Sequence, residues 1–180
     1  MAAHFHFRQF LVLATTQAFP TVVAAALAAG CDGRASRTGR LDARFIEPPH
    51  DTAHFTGDAR ASRCAGGRGV VLEGTSEANG VLVWVRGGGP TTDGSYVPLP
   101  RGDSMTPKGA VVSARLATRM PSRGVLLDSG SVVVTSAGGR MNARIAGRGV
   151  DLSSAARVAV EITFDSVPPP SDTVECRIEL

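Results

Sequence analysis

Hydrophobic positions along this chain fall into three regimes. From Phe10 to Ala29 they run almost unbroken, interrupted by Gln17 and Pro20. From Asp32 to His50 they thin out among Gly, Arg, Thr and Pro. From about Ala53 onward they return as short β-prone runs separated by Gly, Pro and Ser, the grammar of strands and turns. Residues 157–164 alternate cleanly, with Val158, Val160, Ile162 and Phe164 apolar and the positions between them mostly polar. That period of two predicts a strand with one buried and one wet face. Residues 81–85 are apolar throughout and predict a strand that is central or covered on both sides. Further strands are predicted from His54 onward and at 69–74, 95–97, 110–116, 124–128, 130–135, 140–146 and 173–178. Residues 136–139 have the composition of a hairpin loop. No segment of the mature chain sustains an amphipathic 3.6-residue period, and residues 151–156 supply one helical turn at most. Strands at this spacing predict an all-β fold, an antiparallel β-sandwich of jelly-roll character.

The other two regimes set the domain organisation. Residues 1–30 read as a secretory leader, with Arg8 and two histidines in its first part and small residues at its end. Residues 31–52 read as a flexible tether, extended by Pro48 and Pro49. Leu41, Phe45 and Ile46 interrupt its polar character and are expected to dock on the domain. The sandwich is expected over 53–180.

The sequence Leu27-Ala28-Ala29-Gly30-Cys31 resembles the lipobox of bacterial lipoprotein signals, although Ala28 stands where leucine is most usual. The resemblance covers the leader alone. It implies diacylglycerol on the Cys31 sulfur, cleavage before that residue, and a palmitate-bearing N-terminus held in a membrane of the cell envelope. An ordinary cleaved signal and an uncleaved apolar anchor are the alternatives. Asp32 stands where enteric lipoproteins carry an inner-membrane retention signal.

The chain has three cysteines. With Cys31 assigned to lipid, Cys64 and Cys176 remain as a pair, and export permits a disulfide between them. Two unrelated buried thiols are the alternative. A bond would close most of the domain into one loop, which the chain-entropy model values at about 4–5 kcal/mol.

A second, looser resemblance lies in residues 124–178. The stretch Ser129-Gly130-Ser131-Val132-Val133-Val134-Thr135, followed by residues 157–164 and Asp165-Ser166-Val167-Pro168, is similar to the closing strands of uncharacterised bacterial β-sandwich lipoproteins. It implies no activity.

Candidate chemistry is sparse. The formal charge is +3, and the arginines are scattered singly. That is not the clustered basic stripe of a nucleic-acid binder, and aromatics are only 5% of the chain. His50 and His54 would share a face only on a helix, which Pro48 and Pro49 disfavour, so they read as polar residues at a junction. There is no Gly-x-Ser-x-Gly elbow, no Walker loop and no cysteine spacing for zinc. Arg101-Gly102-Asp103 reads as a tight surface turn, Trp84 as a core residue and Tyr96 as a rim residue. The expected function is therefore a non-enzymatic envelope lipoprotein, structural or binding, without cofactor or nucleic-acid partner, and with the membrane as its partner through Cys31. The alternatives are a carbohydrate- or ligand-binding module using Tyr96 and the Arg101 loop, and a hydrolase or metal enzyme using His50 and His54.

Overall fold

The computed structural model describes residues 38–48, 51–67, 69–87, 92–103, 105–117 and 122–176. The leader, Cys31, the tether as far as residue 37, His50 and Ile178 lie outside the described residues.

Ten strands follow in chain order: β1 (Gly39–Glu47), β2 (Asp51–Cys64), β3 (Val70–Ser76), β4 (Asn79–Arg86), β5 (Gly94–Tyr96), β6 (Gly109–Leu116), β7 (Arg123–Ala137), β8 (Arg140–Asp151), β9 (Arg157–Val167) and β10 (Asp172–Val174). Eight of them form an antiparallel meander, β1-β2-β3-β4-β6-β7-β8-β9, and β9 returns to pair with β1. The sheet thus closes into a barrel.

The two short strands continue lanes that longer neighbours leave. β6 pairs with the first part of β7, and β5 takes over at Gly94↔Val134 through Tyr96↔Val132. β1 pairs with β2 as far as Ala59, and β10 then lies parallel to β2 from Ser62 to Cys64.

All-β and antiparallel character agree with the sequence pattern, but the layering does not. A sandwich or jelly roll packs two sheets with free edges, whereas here β1 is paired on both sides. Inward-outward alternation is the same in both architectures, so the pattern alone does not separate them. The strand that closes the barrel is also the one assigned to the tether. Leu41, Ala43 and Phe45 of β1 face the core and are almost fully buried, while Arg40 and Arg44 face solvent. Among the described residues the barrel's first strand therefore starts at Gly39, ahead of the expected boundary at Ala53. β7 likewise unites two expected strands across a register shift between Leu127 and Ser129.

Eight strands enclose a space that side chains can fill. Leu72, Val83, Val132, Val134 and Phe164 have no exposed surface, and each such burial contributes about 1.5–3 kcal/mol. Leu41 lies against Gly74, where an added Cβ would come within 2.6 Å of the leucine Cδ2. The β7–β8 hairpin turns on Gly138 and Gly139, whose φ values of 58° and 74° suit a two-residue primed turn.

Arg123, at the start of β7, is bonded to Asp151 at the end of β8, Glu47 at the end of β1 and Asp51 at the start of β2. It ties the β1–β2 end to the β7–β8 end. Burial works against the Asp151 carboxylate, but hydrogen bonds from Ser153, Arg123 and Ser154 overcome it and hold the pKa at about 2.

Candidate ligand groove on the outer wall

Strand alternation sends Val81, Val83 and Val85 of β4 inward and Leu82 and Trp84 outward. Outward positions on neighbouring strands fall into register as two rows. One row is Ser62, Val71, Trp84 and Val111 across β2, β3, β4 and β6. The other is Arg60, Glu73, Leu82, Ser113, Leu126 and Val150 across β2, β3, β4, β6, β7 and β8. The outer wall here therefore carries an apolar patch, beside the Arg60–Glu73 ion pair and Ser113, where an ordinary barrel surface would be wet throughout.

Three structures rise over it. The first is the disulfide between Cys64 and Cys176, with Cα atoms 5.3 Å apart, which packs with Trp84, Val71 and Val111 in an apolar cluster separate from the barrel core. It brings Glu175 to the groove. The second is the segment between β5 and β6. Leu99 pairs with Ala110, and Asp103 N–H donates to Pro100 O at 3.2 Å. Gly102 has φ 86°, so residues 100–103 make a turn of the kind that demands positive φ at its third position. Asp103 then accepts from Met105 N, Thr106 N and Thr106 Oγ1. These bonds, that from the Thr106 hydroxyl foremost, hold its pKa below the usual range. Arg86 donates to the Asp103 carbonyl and lies 5.2 Å from the Trp84 ring centre, pinning the turn beside the indole. The third is Leu152, in the turn after β8, which stands 55% exposed at the far side.

Together these walls bound a groove of about 580 Å³, lined by Leu82, Trp84, Val111, Leu126, Leu152 and Arg101, among others. That is a size suited to a small molecule. Trp84 is only 9% exposed, and its indole Nε1–H has no hydrogen-bond partner. Buried indole N–H groups ordinarily find one, and an unmet donor costs about 1–3 kcal/mol. Arg101 is exposed at the rim and has no ion-pair partner among the described residues.

No protein-family model matches this chain, and no curated protein or solved structure is significantly similar to it.

Several residues singled out in the sequence now have places. Cys64 and Cys176 are bonded to each other. Arg101-Gly102-Asp103 is the tight turn expected of it, and it also forms a wall of the groove. Of the two aromatic expectations, Trp84 is buried as expected, though in the cluster outside the barrel, and Tyr96 departs from its expected place. Tyr96 is buried in the barrel core and donates to Thr92 O at 2.7 Å, so it is not a rim residue. Trp84 is buried outside the barrel, under the disulfide. His54 stands half-exposed on the outer face of β2, with Nε2 3.3 Å from Asp42 Oδ1. The groove's apolar residues were not singled out as a site. Their one signal was the unbroken run 81–85, whose outward positions need a cover.

Proposed function

We propose that this chain is a lipid-anchored envelope lipoprotein whose barrel is a binding module rather than an enzyme. The lipobox and the cysteine pairing support the anchor, and the groove beside Trp84 carries the binding half. Apolar outward residues from three strands, walled by a disulfide and a pinned turn, make a built concavity. Tyr96 has no part in it, and the Arg101 loop does. The hydrolase reading required His54 to meet His50 and an acid in a pocket, and His54's exposed pairing with Asp42 on another wall speaks against it.

Two experiments test the two halves. Metabolic labelling with a palmitate analogue should mark the chain, and Cys31→Ala should remove the label and release protein from the membrane fraction. An unlabelled chain, or unchanged membrane association of the variant, overturns the anchor. The chain has one tryptophan. An anilinonaphthalene dye seated in the groove should therefore accept energy from Trp84 saturably, and Leu82→Asp should abolish the transfer. Equal transfer in that variant overturns the binding half.

A further inference from the structure

We infer that the groove takes an acyl amphiphile, a hydrocarbon chain ending in a carbonyl or carboxylate, whose oxygen accepts the Trp84 Nε1–H. This rests on the binding reading above and adds the ligand's chemistry. Two independent features select that class. The floor is mostly hydrocarbon: Leu82, Val111, Leu126 and Leu152 surround a single hydroxyl, that of Ser113. Beside that hydroxyl, two polar side chains of the lining lack a partner among the described residues, and both are donors. Trp84 lines the groove, and its indole N–H is buried and unmet. The Arg101 guanidinium sits at the rim, where it would face the head of a ligand lying along the floor. Arg86 lies by the Trp84 ring and is already paired with Asp103, so the rim charge of this argument is that of Arg101. Glu175 is the acid that lines the groove, and it already has an interaction of its own.

An acceptor placed on Nε1 satisfies a donor that the empty groove leaves stranded. A donor-only head group leaves it stranded and adds repulsion from Arg101. A net hydrogen bond of this kind is worth about tenfold in affinity. A site built to hydrogen-bond a ligand group discriminates mainly against analogues that lack it.

Three probes of equal chain length separate the contributions: decanoate, methyl decanoate and decylammonium. Titrated against the intact chain below their micelle concentrations and read by Trp84 emission, they should bind in that order. The first and last should differ by about tenfold or more. Arg101→Ala, an exposed position that the fold tolerates, should bring decanoate down to the level of methyl decanoate and leave the ester unchanged. Trp84→Phe, followed by calorimetry, should weaken both acceptor-bearing probes. Equal binding of decylammonium and decanoate overturns the acyl inference and leaves the binding reading standing. No saturable binding by any probe overturns both.

Discussion

The barrel has two different outer walls. On β9, β1 and β2 the outward row is charged and alternating in sign. Arg40 stands between Asp58 and Asp165, and Arg44 between His54 and Glu161. On β3, β4, β6 and the start of β7 the outward positions hold Val71, Leu82, Trp84, Val111 and Leu126, interrupted by Glu73 and Ser113. Both walls back onto the same apolar interior. The charged wall needs nothing beyond water, since exposed cross-strand pairs contribute little. The apolar wall is covered in part by the Cys64–Cys176 bond and the turn at residues 100–103, and what they leave open is the groove. A bare apolar wall carries a cost in solubility, so a partly open one points to an occupant.

The sharpest way to break this contrast is to remove the cover. Replacing Cys64 and Cys176 together with alanine should lower the unfolding free energy by about 4–5 kcal/mol in the chain-entropy model, given a sequence separation of 112. It should also shift Trp84 emission to the red. The charged wall offers no change of that size. Denaturant unfolding followed at the tryptophan reads both effects, and unshifted emission would mean that the disulfide does not cover the indole.

Next in size is the joint where β1 and β2 meet β7 and β8. Arg123→Met leaves Asp151 fully buried without its cation, along with Glu47 and Asp51. Stranding a buried charge in this way costs about 3 kcal/mol, measurable by thermal or denaturant unfolding.

The same site gives a pH dependence. The Asp151 carboxyl is depressed from an ordinary value near 3.8 to about 2, so the fold favours the ionised form. Its contribution of about 2 kcal/mol is therefore complete above pH ~4 and is lost as the pH falls toward 2. Asp151→Asn should be less stable than the parent at pH 6, and the gap should close near pH 2. A gap that is constant with pH would contradict the assignment.

The smallest expected effects fall on exposed positions of the two walls. Asp42→Asn removes the His54 contact on the charged wall and should change stability by no more than about 0.5 kcal/mol. Leu82 is 41% exposed, and Leu82→Asp should be nearly as mild for stability. The two substitutions are expected to differ in binding, not in folding.

Much of this fold was readable in the chain. The alternation at 157–164 became β9, and its apolar positions are the fully buried ones. The run 81–85 is buried on its inner face and at Trp84 on its outer face, while Leu82 stays open. β1 was missed for a physical reason. Its Leu41, Ala43 and Phe45 have the strand period, but they sit between an arginine- and glycine-rich stretch and the pair Pro48–Pro49, which together resemble a spacer. Without β1 the sheet has two edges, and a sandwich is the natural inference. The groove was harder to foresee. Its residues come from β4, β6, β7, the turn after β8, the residues 100–103 turn and the segment after β10, and only register brings them together. Trp84 illustrates the difficulty, because a tryptophan in an apolar run is buried in either setting. Which side of the sheet it lies on depends on the parity of its neighbours Val83 and Val85.

The central claim is that the open part of the apolar wall is a site and the charged wall is not. Because the chain has one tryptophan, it gives a single indole ¹H–¹⁵N resonance. Titration with methyl decanoate should move that resonance downfield in a saturable way as its N–H gains an acceptor, while the backbone amides of Arg40, Asp42 and Arg44 stay in place. An indole resonance that does not move, or one that moves no more than the amides of the charged wall, would contradict the account.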